Sequence, residues 1–386
     1  MRTLFCIAVL LILLFCGMIF LANIQVLKKA DLEADKEKQL WNAELASRTQ
    51  KPTFTEKTSF PTIHCPTFFP AAKAGQLGFQ DPNHGLDPAS YTRLTAEEPQ
   101  FNIALHNADF DPVRWYIMVK GGYYEHKLVR KWRNVLLANY DDNNDDETIV
   151  LDVGGNIGFF SLLSMSLSKW MKQRLRVHTF EPNPKNIIRI CESLQLNDWQ
   201  HPLAEEYAKN QNASIMIHPI GISDKNDVMS FVAQHAKPGS GKFIRSNEGV
   251  KGKASKISVV RLDDFARQRG WLDVSDSSSS RPNIAILKID VEGLEPEVVS
   301  GAKELIKSRV VRNIFMELTV TNDSQAEACA QALAVIVNAR YQLKQTGRSL
   351  GPGNKNTWPN DEHLISKIVA ETRNDRTKQL NLWWTL

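Results

Sequence analysis

From about residue 148 onward, short apolar runs alternate with stretches of helical periodicity. TIVLDV at 148–153, LRVHTF ending at Phe180, SIMIHP, IAILKI at 284–289, NIFMEL at 313–318, YQLKQ at 341–345 and the terminal NLWWTL read as strands. Between them, a helix from about Ile157, another over Lys185 to Leu196 and a third through Ala326 to Val337 place apolar residues on one face. VMSFV and ISVVRL form an apparent hairpin. Such alternation predicts an α/β domain built on a largely parallel sheet. Upstream, GGYYEHKLVRKWRNVLLANY sets Leu128, Trp132, Val135, Leu136 and Tyr140 at helical spacing, a covering helix in which packing is a better account of Tyr123, Tyr124 and His126 than ligand contact.

Two other patterns bracket this region. Residues 3–27 carry no charge, and as a helix of ~37 Å they exceed a ~30 Å hydrocarbon layer. A membrane anchor is therefore expected rather than a signal peptide, whose apolar core is shorter and which needs a small-x-small cleavage site. Arg2 precedes the span, while Lys28, Lys29, Lys36 and Lys38 follow it. Charge counting alone then favours a cytosolic enzyme, whereas a short leading tail favours the secretory lumen (ER or Golgi), the orientation expected here. Residues 28 to about 100 read as a stalk, charged and then rich in Thr, Pro and Phe, leaving 101–386 as the main domain.

The chemistry concentrates where strands end. Asp152 closes the strand at 148–153, and Gly154, Gly155, Asn156 and Gly158 form a turn into a helix whose first N–H groups lack partners. GGNIG does not have the GxGxxG spacing that holds a dinucleotide diphosphate, and a carboxylate beside the turn suits a cationic ligand such as S-adenosylmethionine. A helix of about 15 residues rising ~22 Å and a strand returning ~20 Å bring Glu181 of FEPNP level with that turn, where it can accept two ribose hydroxyls. Asp290 and Glu292 follow the strand 284–289 on the same rim, candidates for general base or metal ligand, with Glu292 alternatively capping the next helix; Glu317 is a weaker third.

LDVGGNIGFFS, FEPNP, IGISDK, RLDDF, KIDVEGLEPEVVSGA and FMEL, in that order over about residues 120 to 320, resemble the FkbM family of S-adenosylmethionine-dependent methyltransferases. The resemblance implies a class I methyltransferase (Rossmann-like) fold, a seven-stranded sheet with helices on both faces and the last strand antiparallel. It places Ser223 and Asp224 of IGISDK with the cofactor-binding residues, and it implies a sugar or glycan hydroxyl as acceptor. Gly155 is a departure, since the family usually has alanine there.

Composition narrows the remainder. With 386 residues, 42% hydrophobic, the chain suffices for one large decorated domain, and a net charge of +4 without a sustained basic face gives no case for nucleic acid. HExxH and CxxC are absent, so no metal site is expected. Cys65, Cys191 and Cys329, an odd number beyond the apolar span, suggest no disulfide framework, and Cys191 reads as a packed helix residue. DDNNDDE at 141–147 lacks the glycine and glutamate of a calcium loop, and the serines at 275–280 read as surface loop. KPGSGKFIRSNEGVKGKASK at 237–256 reads as a solvated basic loop, with an acidic-glycan clamp as the alternative. Sequons at Asn212 and Asn322 are about what chance gives. Two rival functions remain. An NAD- or nucleotide-sugar-dependent oxidoreductase requires the missing GxGxxG, and a non-catalytic binding protein on this fold requires a damaged turn. The sequence leaves the oligomeric state open.

Overall fold

The computed structural model describes residues 60–73, 81–96, 98–107, 111–119, 124–139, 147–199, 213–233, 239–244, 254–272, 282–320, 322–346, 362–373 and 380–386. The expected anchor, the stalk up to 59, Tyr123, the serine run, Asn212 and most of the acidic and basic stretches lie outside these residues. Among the described residues, no helix is long and apolar enough to cross a membrane.

The elements before the main sheet are α1 (Cys65–Lys73), β1 (Thr92–Leu94), β2 (Asn102–Ala104), α2 (Pro112–Val119) and α3 (His126–Ala138). The alternating core follows as β3 (Thr148–Val153), α4 (Phe159–Met171), β4 (Leu175–Phe180), α5 (Pro184–Leu196) and β5 (Ala213–His218). A smaller antiparallel-rich group comprises β6 (Gly221–Ile222), β7 (Asp227–Ala233), β8 (Gly241–Ile244) and β9 (Ser255–Val260). The chain closes with α6 (Leu262–Gln268), β10 (Asn283–Ile289), α7 (Glu295–Gly301), α8 (Lys303–Lys307), β11 (Val311–Leu318), α9 (Asp323–Asn338), β12 (Gln342–Thr346), α10 (Glu362–Arg373) and β13 (Leu380–Thr385).

Seven strands form the main sheet in the order β12-β13-β11-β10-β3-β4-β5. All neighbours from β11 to β5 are parallel, and β13 runs antiparallel between β11 and β12. This is the class I methyltransferase arrangement, with the last strand in the chain antiparallel but interior to the sheet. Every residue of β3 is buried, as a strand covered on both faces requires. The chain runs outward from β3 to β5, then returns to build from β10, so the order reverses between β3 and β10. Ligands bind at such a switch point, outside the carboxyl ends of the strands.

The expected hairpin is present as β7 and β9, antiparallel with Asp227 opposite Val259. It is part of a four-stranded sheet, because β8 adds to the free edge of β7 and β6 lies parallel to β9.

The stalk ends earlier than the sequence pattern suggests, for the chain packs onto the domain from Phe60. Phe60 sits against Phe265 with ring centroids 5.2 Å apart, and Ile63 N–H donates to the Ile217 carbonyl at 2.8 Å. Arg189 of α5 is fully buried because Asp81 pairs with it at 2.7 Å, while the Tyr91 hydroxyl donates to Glu192. Cys191 is not merely packed, since Cys65 and Cys191 form a disulfide. The segment buries Phe60, Ile63 and Phe68 at irregular spacing beside these polar and covalent contacts, and without a periodic apolar signature it reads as a stalk. Cys329 is the remaining described cysteine, a buried thiol pushed up to about 12 by burial.

Candidate functional site

A cavity of about 1050 Å³ opens over the carboxyl ends of β4, β3, β10 and β11, walled by residues of α2, α3, β8 and β13. Its floor begins at the glycine turn. Gly154 has φ +79°, and a Cβ there would lie 1.8 Å from the Asp290 carbonyl oxygen, so only glycine lets the exits of β3 and β10 touch. Asn156 takes a left-handed φ of 49°, and its N–H donates to Glu181 Oε2 at 2.7 Å. Asn183 N–H donates to Glu181 Oε1 at 2.8 Å. Glu181 is thus fixed by backbone donors that leave lone pairs for a ligand in the cavity it lines. Burial pushes its carboxyl up to about 7, against the pull of the Asn183 and Asn156 N–H groups. Asn156 Oδ1, on the same wall, is buried without a hydrogen-bond partner. A ribose-bearing ligand would satisfy both, and the residues therefore fit S-adenosylmethionine.

The other proposed cofactor residues divide. Asp152 does not line the cavity: it is fully buried beneath the turn, where Ser161 Oγ donates to Oδ2 at 2.6 Å and Lys288 Nζ stands 3.5 Å from Oδ1. Gly155 and Gly158 also lie behind the wall; a Cβ on Gly155 would sit 2.3 Å from Thr179 Cγ2 and one on Gly158 2.9 Å from Ile190 Cγ1. Gly221 and Ile222 reach the cavity, whereas Ser223 and Asp224 continue past it. The Ser223 carbonyl oxygen packs where a Cβ of Gly301 would be, 1.9 Å away.

On the far side stand Asp290 and Glu292, both lining the cavity. Lys288 Nζ holds Asp290 Oδ2 at 3.1 Å and donates to the Gly154 carbonyl at 3.2 Å. Burial opposes the charge on Lys288, but Asp290 and Asp152 outweigh it and hold the ammonium above its ordinary value. The turn that holds Glu292, exposed and with φ 57°, is capped from the helix that follows. Glu295 does that work, with Oε1 accepting from Val291 N–H at 3.1 Å and Gly293 N–H at 3.0 Å. Among the described residues, no group of three or more His, Cys, Asp or Glu is placed to hold a metal ion.

The cavity also takes in residues that the sequence reading assigns to packing or passes over. Tyr124, Glu125 and His126 all reach the cavity, and Tyr124 packs edge-on against Phe159 at 5.1 Å. Trp383 of β13 stacks on Phe315 at 5.7 Å and 8°, both in the wall. Glu317, ranked third on the sequence, faces the same space. Lys288 had one legible sign, a lysine inside an otherwise apolar strand. Glu125 had none.

No curated protein matches the chain. Among solved structures it is similar to the methyltransferase FkbM from Methylobacillus flagellatus, at 16% identity and TM-score 0.32 over 66% of this chain, and it spans 47% of that protein's length. It is also similar to precorrin-6y C5,15-methyltransferase from Geobacter metallireducens, at 11% identity and TM-score 0.29 over 68% of this chain and 89% of that one. Residues 152–343 match the model of the methyltransferase FkbM domain, a span that holds the glycine turn, Glu181, Lys288, Asp290 and Glu317. Residues 152–343 therefore form a methyltransferase domain of the FkbM family of S-adenosylmethionine-dependent methyltransferases.

Proposed function

We propose that the protein is an S-adenosylmethionine-dependent O-methyltransferase whose acceptor is a sugar or glycan hydroxyl. The observation that carries this reading is one cavity joining two unlike ends. At one end Glu181, Asn156 and Gly154 offer acceptors and open backbone for a nucleoside; at the other, Asp290, Glu292 and Glu317 stand beside the aromatic wall of Phe315 and Trp383. Carboxylates next to flat apolar faces suit the hydroxyls and C–H faces of a sugar.

Glu181 and Asn156 would hold the ribose, and the Gly154 turn would admit the methionine part. Bound there, S-adenosylmethionine supplies a methyl group on a sulfonium, which leaves as the C–S bond breaks and its electron pair stays on sulfur. This chain's residues align the acceptor oxygen and take its proton. Asp290, fixed by Lys288, accepts the hydroxyl hydrogen bond and then the proton as the O–C bond forms, and Glu292 orients the acceptor from the same turn.

The Cys65–Cys191 disulfide supports folding in an oxidising compartment, which agrees with a luminal domain behind a membrane anchor at 3–27. Alkylation of the protein in intact membranes tests this: both cysteines labelling freely without reductant would reverse the orientation. For activity, the full chain is incubated with methyl-labelled S-adenosylmethionine and an extract of its source cell. Base-stable label in the glycan fraction is expected, and label confined to protein or lipid would overturn the acceptor class.

A further inference from the structure

We propose that Glu125 and Glu317 form a charge-reading wall of the cofactor cavity, favouring the cationic sulfonium of S-adenosylmethionine over the uncharged thioether that methyl transfer leaves. This rests on the cofactor reading above and adds to it a means of expelling product.

Glu125 lies outside the residues matched by the family model, on the segment that enters α3. It occupies the N-cap position in a left-handed conformation, φ 44° and ψ 42°, yet its side chain caps nothing. An N-cap glutamate that only served the helix would turn its carboxylate onto the free N–H groups of the first turn. Here the carboxylate lines the cavity, facing Asp290 and Lys288 of β10 and Glu317 of β11. Glu317 in turn faces Asp290, Glu125, Glu292 and Lys288. The Tyr124 hydroxyl stands among Glu125, Asp290, Glu317 and Asp111, and His126, Lys127 and Lys131 line the same cavity.

The charges in this wall do not balance. Lys288 is committed to Asp152 and Asp290, and among the described residues no ion pair joins a cation to Glu125 or Glu317. Burial, then the Asp290 charge, pushes Glu125 up to about 7, and burial with the charges of Asp290, Glu125 and Glu292 pushes Glu317 up to about 9. Near neutral pH Glu125 sits between states and Glu317 is held mostly protonated, so a positive charge in the cavity draws both toward the ionised form and is held, while a neutral ligand leaves them more protonated. Strand spacing puts Glu181 and Glu317 about 14 Å apart across β4, β3, β10 and β11, so a ligand with its ribose at Glu181 extends toward this wall.

S-adenosylmethionine and S-adenosylhomocysteine share adenosine, ammonium and carboxylate and differ in the sulfonium, so their affinity ratio cancels the titrations of the groups they share, and the two variants assign what remains. Calorimetry on the full chain gives that ratio at about pH 5.5 and about pH 8, where a carboxyl whose pKa falls one unit on binding a cation contributes about tenfold. The preference for the sulfonium form is expected to rise about tenfold in the wild type and to rise less in both Glu125→Gln and Glu317→Gln. Glu317→Gln is an independent route if Glu125→Gln folds poorly. Binding of both ligands with a ratio that does not change with pH, or a rise preserved in both variants, overturns this inference alone. Binding of neither ligand by the wild type overturns the cofactor reading beneath it.

Discussion

Asp152 and Glu181 belong to adjacent parallel strands and approach the same turn, yet their carboxylates do opposite things. In the sheet register Asp152 stands directly beside Lys288 on one side and Thr179 on the other. It is wholly enclosed, answered by a lysine and a serine hydroxyl. Glu181 lies just past the end of its strand, where backbone N–H groups hold both oxygens and the cavity takes the remainder. A side-chain cation consumes a carboxylate, whereas backbone donors orient it and leave it free to bind. Two acids that look equivalent along the chain thus divide into one that holds the turn and one that receives a ligand.

The largest test of this division removes the cation. Lys288→Met strands Asp152 without its partner in the interior, a loss of about 3–5 kcal/mol for a broken buried pair. Denaturant unfolding should show it, and the double variant Asp152→Asn/Lys288→Met should recover much of the loss. A single variant as stable as wild type would mean that Asp152 does not depend on Lys288. Next in size, Glu181→Gln should weaken S-adenosylmethionine binding by about 10- to 100-fold, in line with the ~1.5–3 kcal/mol of a hydrogen bond to a charged group. Global stability near neutral pH should fall little or not at all. The pH dependence gives a separate signature. Glu181 titrates at about 7 in the fold against an ordinary 4.5, so the native state binds the proton more tightly. Its contribution is fully present below pH 4.5 and is lost as the pH rises through about 7. Glu181→Gln should therefore flatten the decline of stability over that window, and an unchanged profile would assign the decline to Glu125, Glu295 or Glu317.

The same division explains what the sequence made legible. Strands, turns and the reversal at β3 and β10 follow from apolar periodicity and glycine placement, which are local. So does Glu181, because a helix and a strand of ordinary length return it to the turn. The fate of Asp152 depends on Lys288, more than a hundred residues away, and no spacing rule connects them. Cys65 and Cys191 are 126 residues apart, and the segment around Cys65 is held by that disulfide, a backbone hydrogen bond to Ile217 and irregularly spaced buried Phe60, Ile63 and Phe68 rather than by a repeating apolar face. Glu125 precedes a helix whose apolar face announces packing, so its inward carboxylate has no pattern to betray it. Residues that act through distant partners are visible only once the sheet sets them side by side.

Gly155 sharpens the comparison at its smallest scale, because the space beside it belongs to Thr179, the register partner of Asp152. Its φ is not in the left-handed region, so alanine is conformationally allowed there. What forbids it is Thr179 Cγ2, 2.3 Å from where the Cβ would be. Gly155→Ala should cost about 1–3 kcal/mol through overpacking, with the turn backbone giving way before the sheet does. Thr179→Ser removes that methyl and keeps the hydroxyl that meets Ser161 Oγ at 2.6 Å, and so keeps the bonds around Asp152. The pair Gly155→Ala/Thr179→Ser should return to within about 1 kcal/mol of wild type by thermal or denaturant unfolding. Cofactor affinity should follow the same course, lost in the single variant and restored in the double, since Gly155 lies behind the cavity wall and acts only by positioning Gly154 and Asn156. A double variant that regains stability but not affinity would place Gly155 in contact with the ligand after all.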